Sequence, residues 1–148
     1  MECVIFVGIQ ASGKSTFYKE KLFQSHVRIN LDMLRTRNRE NVFIEASIKT
    51  RQAFVIDNTN PTIVDRQKYI DIAKKHKFKV VGYYFKPDYD LSHKRNEKRI
   101  GKEKVAEAGI KSTLKKLQIP SYNEGFDELY LVRSYPEGFE VEEMAGSL

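Results

Sequence analysis

Cys3 is the single cysteine of the chain. An internal disulfide is therefore excluded, and a reducing cytoplasm is the expected compartment. Among its apolar neighbours Cys3 reads as a small buried strand residue, with a reactive thiol as the alternative. Long apolar runs are missing too. None approaches the ~20 residues that span a bilayer, so no membrane partner is expected. The opening Met1-Glu2-Cys3-Val4-Ile5-Phe6-Val7 is short and has no basic leader, so it does not read as a signal peptide. The histidines His26, His76 and His93 have no partner at metal-ligand spacing. Repeats and low-complexity tracts are absent. Residues 134–148 contain neither Lys nor Arg but carry Glu137, Glu140, Glu142 and Glu143.

With 148 residues, one domain is expected. The division is a body over residues 1–133 and an acidic tail over 134–148 that is not a separate domain. The formal charge is +6, and the body without the four acids of the tail carries +10. Such a body suits polyanionic partners such as nucleotides and nucleic acid, or serves solubility alone.

Strand-like and helix-like segments alternate. Strands are expected at 3–7, 27–30, 53–57, 78–85 and 128–132. Helices are expected at 14–23, 31–37, 41–52, 62–76, 89–99 and 103–117, the fourth capped by Thr62 or Asn60. This order predicts an α/β fold with a mostly parallel sheet and helices on both faces.

Gly8-Ile9-Gln10-Ala11-Ser12-Gly13-Lys14-Ser15 fits the P-loop (Walker A) pattern G-x-x-x-x-G-K-[ST] at every fixed position. A strand precedes it and a helix follows. The glycines let backbone N–H groups curl around phosphates, and the helix start directs its positive end at the anion. Lys14 would neutralise the β- and γ-phosphates of ATP, Ser15 would ligate Mg²⁺, and Thr16 would touch the α-phosphate. Gln10, Ala11 and Ser12 complete the ATP-binding loop. A chance glycine turn is the bland alternative.

Asp32 follows the second strand by two residues and should face the same crevice. It is the candidate base that orients an acceptor hydroxyl, or else a helix N-cap. Arg35, Arg37 and Arg39 follow. Arg35, one helical turn on, is expected on the Asp32 face, where it would hold an acceptor phosphate; a solvated basic helix is the alternative. Asp57 ends the third strand and would order Mg²⁺, directly or through water, or fix the Ser15 hydroxyl. An Asx turn is its alternative. Asn58 and Asn60 form a polar turn suited to holding the acceptor side. Arg95 and Arg99, four apart, would share one face of a helical lid and close over the γ-phosphate, with Gly101 as hinge. A solvated charged face is the alternative.

This constellation resembles the kinase domain of the 5′-polynucleotide kinases of phages and animals, and the wider P-loop kinases. The resemblance rests on residues 8–15, Asn30-Leu31-Asp32, Ile56-Asp57-Asn58-Thr59-Asn60-Pro61, Lys94-Arg95-Asn96, Lys98-Arg99, Ile119-Pro120 and Glu124-Gly125-Phe126. It implies a P-loop NTPase fold with an adenylate-kinase-like parallel sheet of about five strands and a small helical lid. It also implies Asp32 as general base, Arg35 on acceptor phosphate, and Arg95 and Arg99 in the lid. Leu31 stands where the family often has Arg. The family's frequent partner, a phosphatase domain with an Asp-x-Asp motif, is not expected in this chain. The first functional reading is an ATP- and Mg²⁺-dependent kinase acting on the 5′-hydroxyl of a DNA or RNA oligonucleotide. The second is a small-molecule kinase for a nucleoside, sugar or antibiotic. The third is an ATP-binding regulatory module.

Overall fold

The computed structural model describes residues 1–101 and 104–146. The strand at the centre is β1 (Glu2–Val7), and every residue from Cys3 to its end is buried. Alternation sends its side chains to opposite faces. Cys3, Ile5 and Val7 join one core with Ile29, Ile44, Ile56 and Tyr69. Val4 and Phe6 join the other with Phe17, Tyr18 and Phe85. A strand buried on both faces is the mark of a parallel sheet covered by helices. Full burial pushes the Cys3 thiol well above its usual pKa, so the inert strand reading holds.

The sheet runs β2 (Val27–Ile29), β3 (Phe54–Ile56), β1, β4 (Lys79–Phe85), β5 (Glu128–Tyr135), β6 (Gly138–Glu143). The first five are parallel, and β6 returns antiparallel along β5. The five expected strands are all present, and the acidic segment supplies a sixth. Its Glu140 and Glu142 face Arg133 of β5 as ion pairs, while Phe139 packs edge-on against Phe17 at 5.3 Å.

The helices are α1 (Lys14–Lys21), α2 (Leu31–Leu34), α3 (Arg37–Lys49), α4 (Ile63–Lys75), α5 (Tyr89–Glu97) and α6 (Glu107–Lys116). Thr62 caps α4 through a capping box with Asp65. Several helix boundaries differ from expectation. The helix expected at 31–37 stops at Leu34, because Arg35 turns to φ 75°. Thr36 then caps α3 by accepting from the Arg39 amide at 3.1 Å, so α3 starts four residues before the expected Asn41. The helix expected at 89–99 ends at Glu97. Glu103, the expected start of the last helix, lies outside the described residues; Lys104, Val105 and Ala106 are not helical. Among the described residues no helix is long and apolar enough to cross a membrane.

Candidate active site

The carboxyl ends of β1, β2 and β3 bring three loops together, in the crevice where open α/β sheets gather functional groups. The loop after β1 leads into α1 with Gly13 as the N-cap, at φ 98° and with no side-chain cap. No side chain therefore competes for the first N–H groups of α1. A side chain at Gly13 would also collide: a Cβ would lie 3.0 Å from Phe139, 3.1 Å from Ser134 Oγ and 3.2 Å from Arg95 Nη1. A Cβ at Gly8 would lie 2.9 Å from that of Phe85. Both glycines are demanded by close approach.

Lys14 is buried. Its Nζ donates to the carbonyls of Gly8 and Ile9 at 3.0 and 2.6 Å and to Ser12 Oγ at 3.4 Å. Burial lowers its pKa to about 8, against an upward pull from Asp57; Arg99 adds a downward push and Asp32 an upward one. Asp57, Arg99 and Asp32, from three separate stretches of chain, thus act on one ammonium group.

Asp57 is 2% exposed. Its Oδ2 accepts from Arg28 Nε at 2.7 Å and from Ser15 Oγ at 3.4 Å. The Asx-turn alternative gives way to this side-chain bridge. The two oxygens of Ser15 and Asp57 are hard donors close enough to share one divalent cation, and they sit beside the phosphate loop. No group of three or more His, Cys, Asp or Glu that would hold a metal by itself occurs among the described residues. A cation at this pair would take its remaining oxygens from phosphate or water, the usual habit of Mg²⁺.

Asp32 is exposed, in the first turn of α2. The capping alternative fails for it, because Asn30 fills that role: Asn30 Oδ1 accepts from the Met33 amide at 2.9 Å. The charge of Asp32 adds a small upward pull on the Lys14 ammonium. The turn after β3 fixes this helix. Asn30 Nδ2 donates to the Asp57 carbonyl at 2.6 Å, and the Leu31 amide donates to Asn58 Oδ1 at 2.9 Å. Asn58 Nδ2 donates to Glu40, which is fully buried and also accepts from Tyr69 and Arg37. Glu40 pushes the Tyr69 phenol, already raised by burial, further upward.

Asn60 is 5% exposed, at φ 45°, with its amide donating to the Phe6 carbonyl at 2.8 Å. The Thr59 carbonyl accepts from the Gly8 amide at 3.0 Å. Beneath this turn lies Arg66, fully buried and bidentate on Glu124 at 2.7 and 3.0 Å, with its third contact on the Asn60 carbonyl at 2.9 Å. The turn of residues 57–61 therefore ties the phosphate loop to α2. In this structure Asn60 is bound into that tie and faces the interior.

The arginines divide. Arg37 is engaged by Glu40 and Tyr69, and Arg39 by the Leu34 carbonyl at 3.4 Å. Arg35 is exposed and has no side-chain hydrogen bond or ion pair among the described residues. It leaves α2 as the C-cap residue, so it does not share a helical face with Asp32 as expected. Arg95 Nη2 donates to Ser134 Oγ at 2.8 Å, while its Nη1 is buried without a partner. Burial lowers the pKa of Arg95, and Arg99 adds to the effect. Because α5 ends at Glu97, Arg99 lies beyond the helix, and its charge acts on Lys14 and Arg95. Gln10 Nε2 donates to Thr113 Oγ1 of α6 at 3.0 Å, Ser12 and Ala11 are buried in the loop, and Thr16 is exposed on α1.

Arg28, Glu40, Arg66 and Ser134 belong to no motif. Their signal in sequence is weak: only Arg28 stands between apolar residues, and the partner that gives each its role lies far along the chain.

A phosphate cradle at the head of a central parallel strand, ringed by acids and arginines, defines a P-loop protein of the kinase fold. The chain belongs to the AAA domain family, whose model matches residues 3–120. It is 31% identical over 129 residues to the bifunctional polynucleotide phosphatase/kinase of Schizosaccharomyces pombe, covering 84% of this chain and 32% of that protein. The chain spans about a third of the length of the curated relatives it matches. A gluconokinase from Sinorhizobium meliloti 1021 shares the fold, with TM-score 0.61, 17% identity, and 91% of this chain and 84% of that one covered. So does a chain of the Pnkp1/Rnl/Hen1 complex, with TM-score 0.55, 21% identity, and coverage of 99% and 46%.

Proposed function

We propose that this chain is a kinase that transfers the γ-phosphate of ATP, with Mg²⁺, to the 5′-hydroxyl of an oligonucleotide. The buried Lys14 in its glycine loop, with the Ser15–Asp57 pair beside it, carries the reading. Lys14 and the start of α1 would bind the β- and γ-phosphates, with Gly8, Gln10, Ala11, Ser12, Gly13 and Thr16 forming the rest of the loop. Ser15 and Asp57 would hold Mg²⁺, which would supply charge neutralisation at the phosphates. Asp32 would accept a hydrogen bond from the attacking hydroxyl and take its proton late in transfer. Arg95, with one guanidinium nitrogen unpartnered beside Gly13, would donate to the transferring group, and Arg99 would add charge.

The acceptor reading rests on Arg35. A non-glycine residue at φ 75° is strained by about 1–3 kcal/mol. Arg35 is exposed and unengaged three residues past the base, and its guanidinium would hold a phosphate neighbouring the 5′-hydroxyl. The similarity to the polynucleotide phosphatase/kinase of Schizosaccharomyces pombe supports it. Asn58 would shape the acceptor side through α2. The buried lone cysteine fits a reducing, cytoplasmic setting.

The test is transfer of labelled γ-phosphate to 5′-hydroxyl DNA and RNA oligomers, 5′-phosphorylated controls, nucleosides and sugars. Label on the 5′-hydroxyl oligomers alone, weakening steeply with salt, is expected. Label on a neutral small molecule alone, with little salt dependence, would keep the phosphotransfer and replace the acceptor.

A further inference from the structure

Arg28 is the middle residue of β2, and its side chain is 27% exposed. Its Nε donates to Asp57 Oδ2 at 2.7 Å and its Nη2 donates to Ser15 Oγ at 2.9 Å. Ser15 Oγ itself lies 3.4 Å from the same Oδ2. One guanidinium therefore spans the two oxygen donors best suited to a divalent cation. Mg²⁺ binds oxygen at about 2.0–2.1 Å, inside hydrogen-bond distance, and holds its ligands in a strict octahedron. A guanidinium on the same carboxylate oxygen is both a steric and a like-charge competitor. The carboxylate also needs a counter-charge, since a buried anion without one is costly. Arg28 supplies it from within the chain.

We propose that Arg28 and a divalent cation compete for the Asp57–Ser15 pair, so that loading the metal requires the guanidinium to release Asp57. The proposal rests on reading this site as one for a Mg²⁺-nucleotide. Arg28 then acts as a positioning residue with two effects. It keeps Asp57 neutralised when no cation is present, and it weakens metal binding so that cation and nucleotide arrive together. Being partly exposed, the arginine has water as its alternative partner when it lets go.

The experiment is a Mg²⁺ titration of fluorescent ATP-analogue binding, starting from EDTA-treated protein, for wild type, Arg28→Met and Arg28→Lys. Arg28→Met should lower the half-saturating Mg²⁺ concentration at least about tenfold, the strength of a hydrogen bond to a charged group. Arg28→Lys should fall between. Melting without nucleotide gives the second readout: Mg²⁺ alone should raise the melting temperature of Arg28→Met more than that of wild type. If Arg28→Met does not fold, Arg28→Lys carries the titration, and its midpoint must fall. An unchanged midpoint in variants that melt cooperatively, or nucleotide binding indifferent to Mg²⁺ in every protein, overturns the competition. Wild type that binds no nucleotide at any Mg²⁺ concentration is a different failure, and it removes the nucleotide reading together with the proposal.

Discussion

The phosphate side and the acceptor side of this crevice are built in opposite ways. On the phosphate side, Lys14 bonds to Gly8, Ile9 and Ser12, all within its own loop. On the acceptor side, α2 is held by Asn30, Asn58, Glu40 and Tyr69, which come from four stretches of chain. A local loop needs room at two glycines, one of them at positive φ, and a helix start. A distributed network needs buried polar partners that are all satisfied, and the loss of one strands the others. The phosphate half should therefore tolerate change outside its motif, whereas the acceptor half should fail through residues that touch no substrate.

The largest expected effect is at the tie between the halves. Arg66→Ala leaves Glu124 buried without its counter-charge and frees the Asn60 carbonyl. It should cost about 3–5 kcal/mol of stability, read by chemical denaturation. Glu40→Gln comes next. It should lose about 1–3 kcal/mol and lower turnover more than nucleotide affinity, because Asn58 and α2 loosen while the P-loop stays intact. Equal losses in both quantities would mean that the halves are not separable.

The pH dependence is specific to the phosphate side. Burial lowers Lys14 to about 8 from the usual 10.5. Between those values the unfolded chain keeps a proton that the folded chain has lost, so stability should rise with pH across that window. Nucleotide affinity should move the other way, by up to about tenfold per pH unit above 8, as Lys14 loses its charge. Parallel titrations of melting temperature and nucleotide binding check the opposed signs. Ser134→Ala should do least. It releases Arg95 Nη2 and should raise nucleotide affinity by about threefold, whereas a fall would make Ser134 a support for Arg95.

The same contrast explains what could be read from the chain. Residues 8–15 are legible because spacing and residue type are the mechanism. The places of Asp32 and Asp57 are legible because each comes just after a short strand of the sheet. Counting residues puts Arg35 on a helical face, and a single positive φ removes it from that face. Arg28 and Glu40 are illegible, since their meaning lies in partners 29 and 18 residues away. The acidic segment alternates only over Phe139-Glu140-Val141-Glu142, and pairing with β5 makes it a strand.

The most direct test of the account is Asp32→Asn, compared with wild type in single-turnover transfer to a 5′-hydroxyl oligomer and in equilibrium ATP binding. The account predicts that the transfer rate falls by about 10²–10⁴-fold while ATP affinity stays nearly unchanged. Full transfer rate in Asp32→Asn would contradict it, because the crevice would then run the reaction without the group assigned to the acceptor hydroxyl.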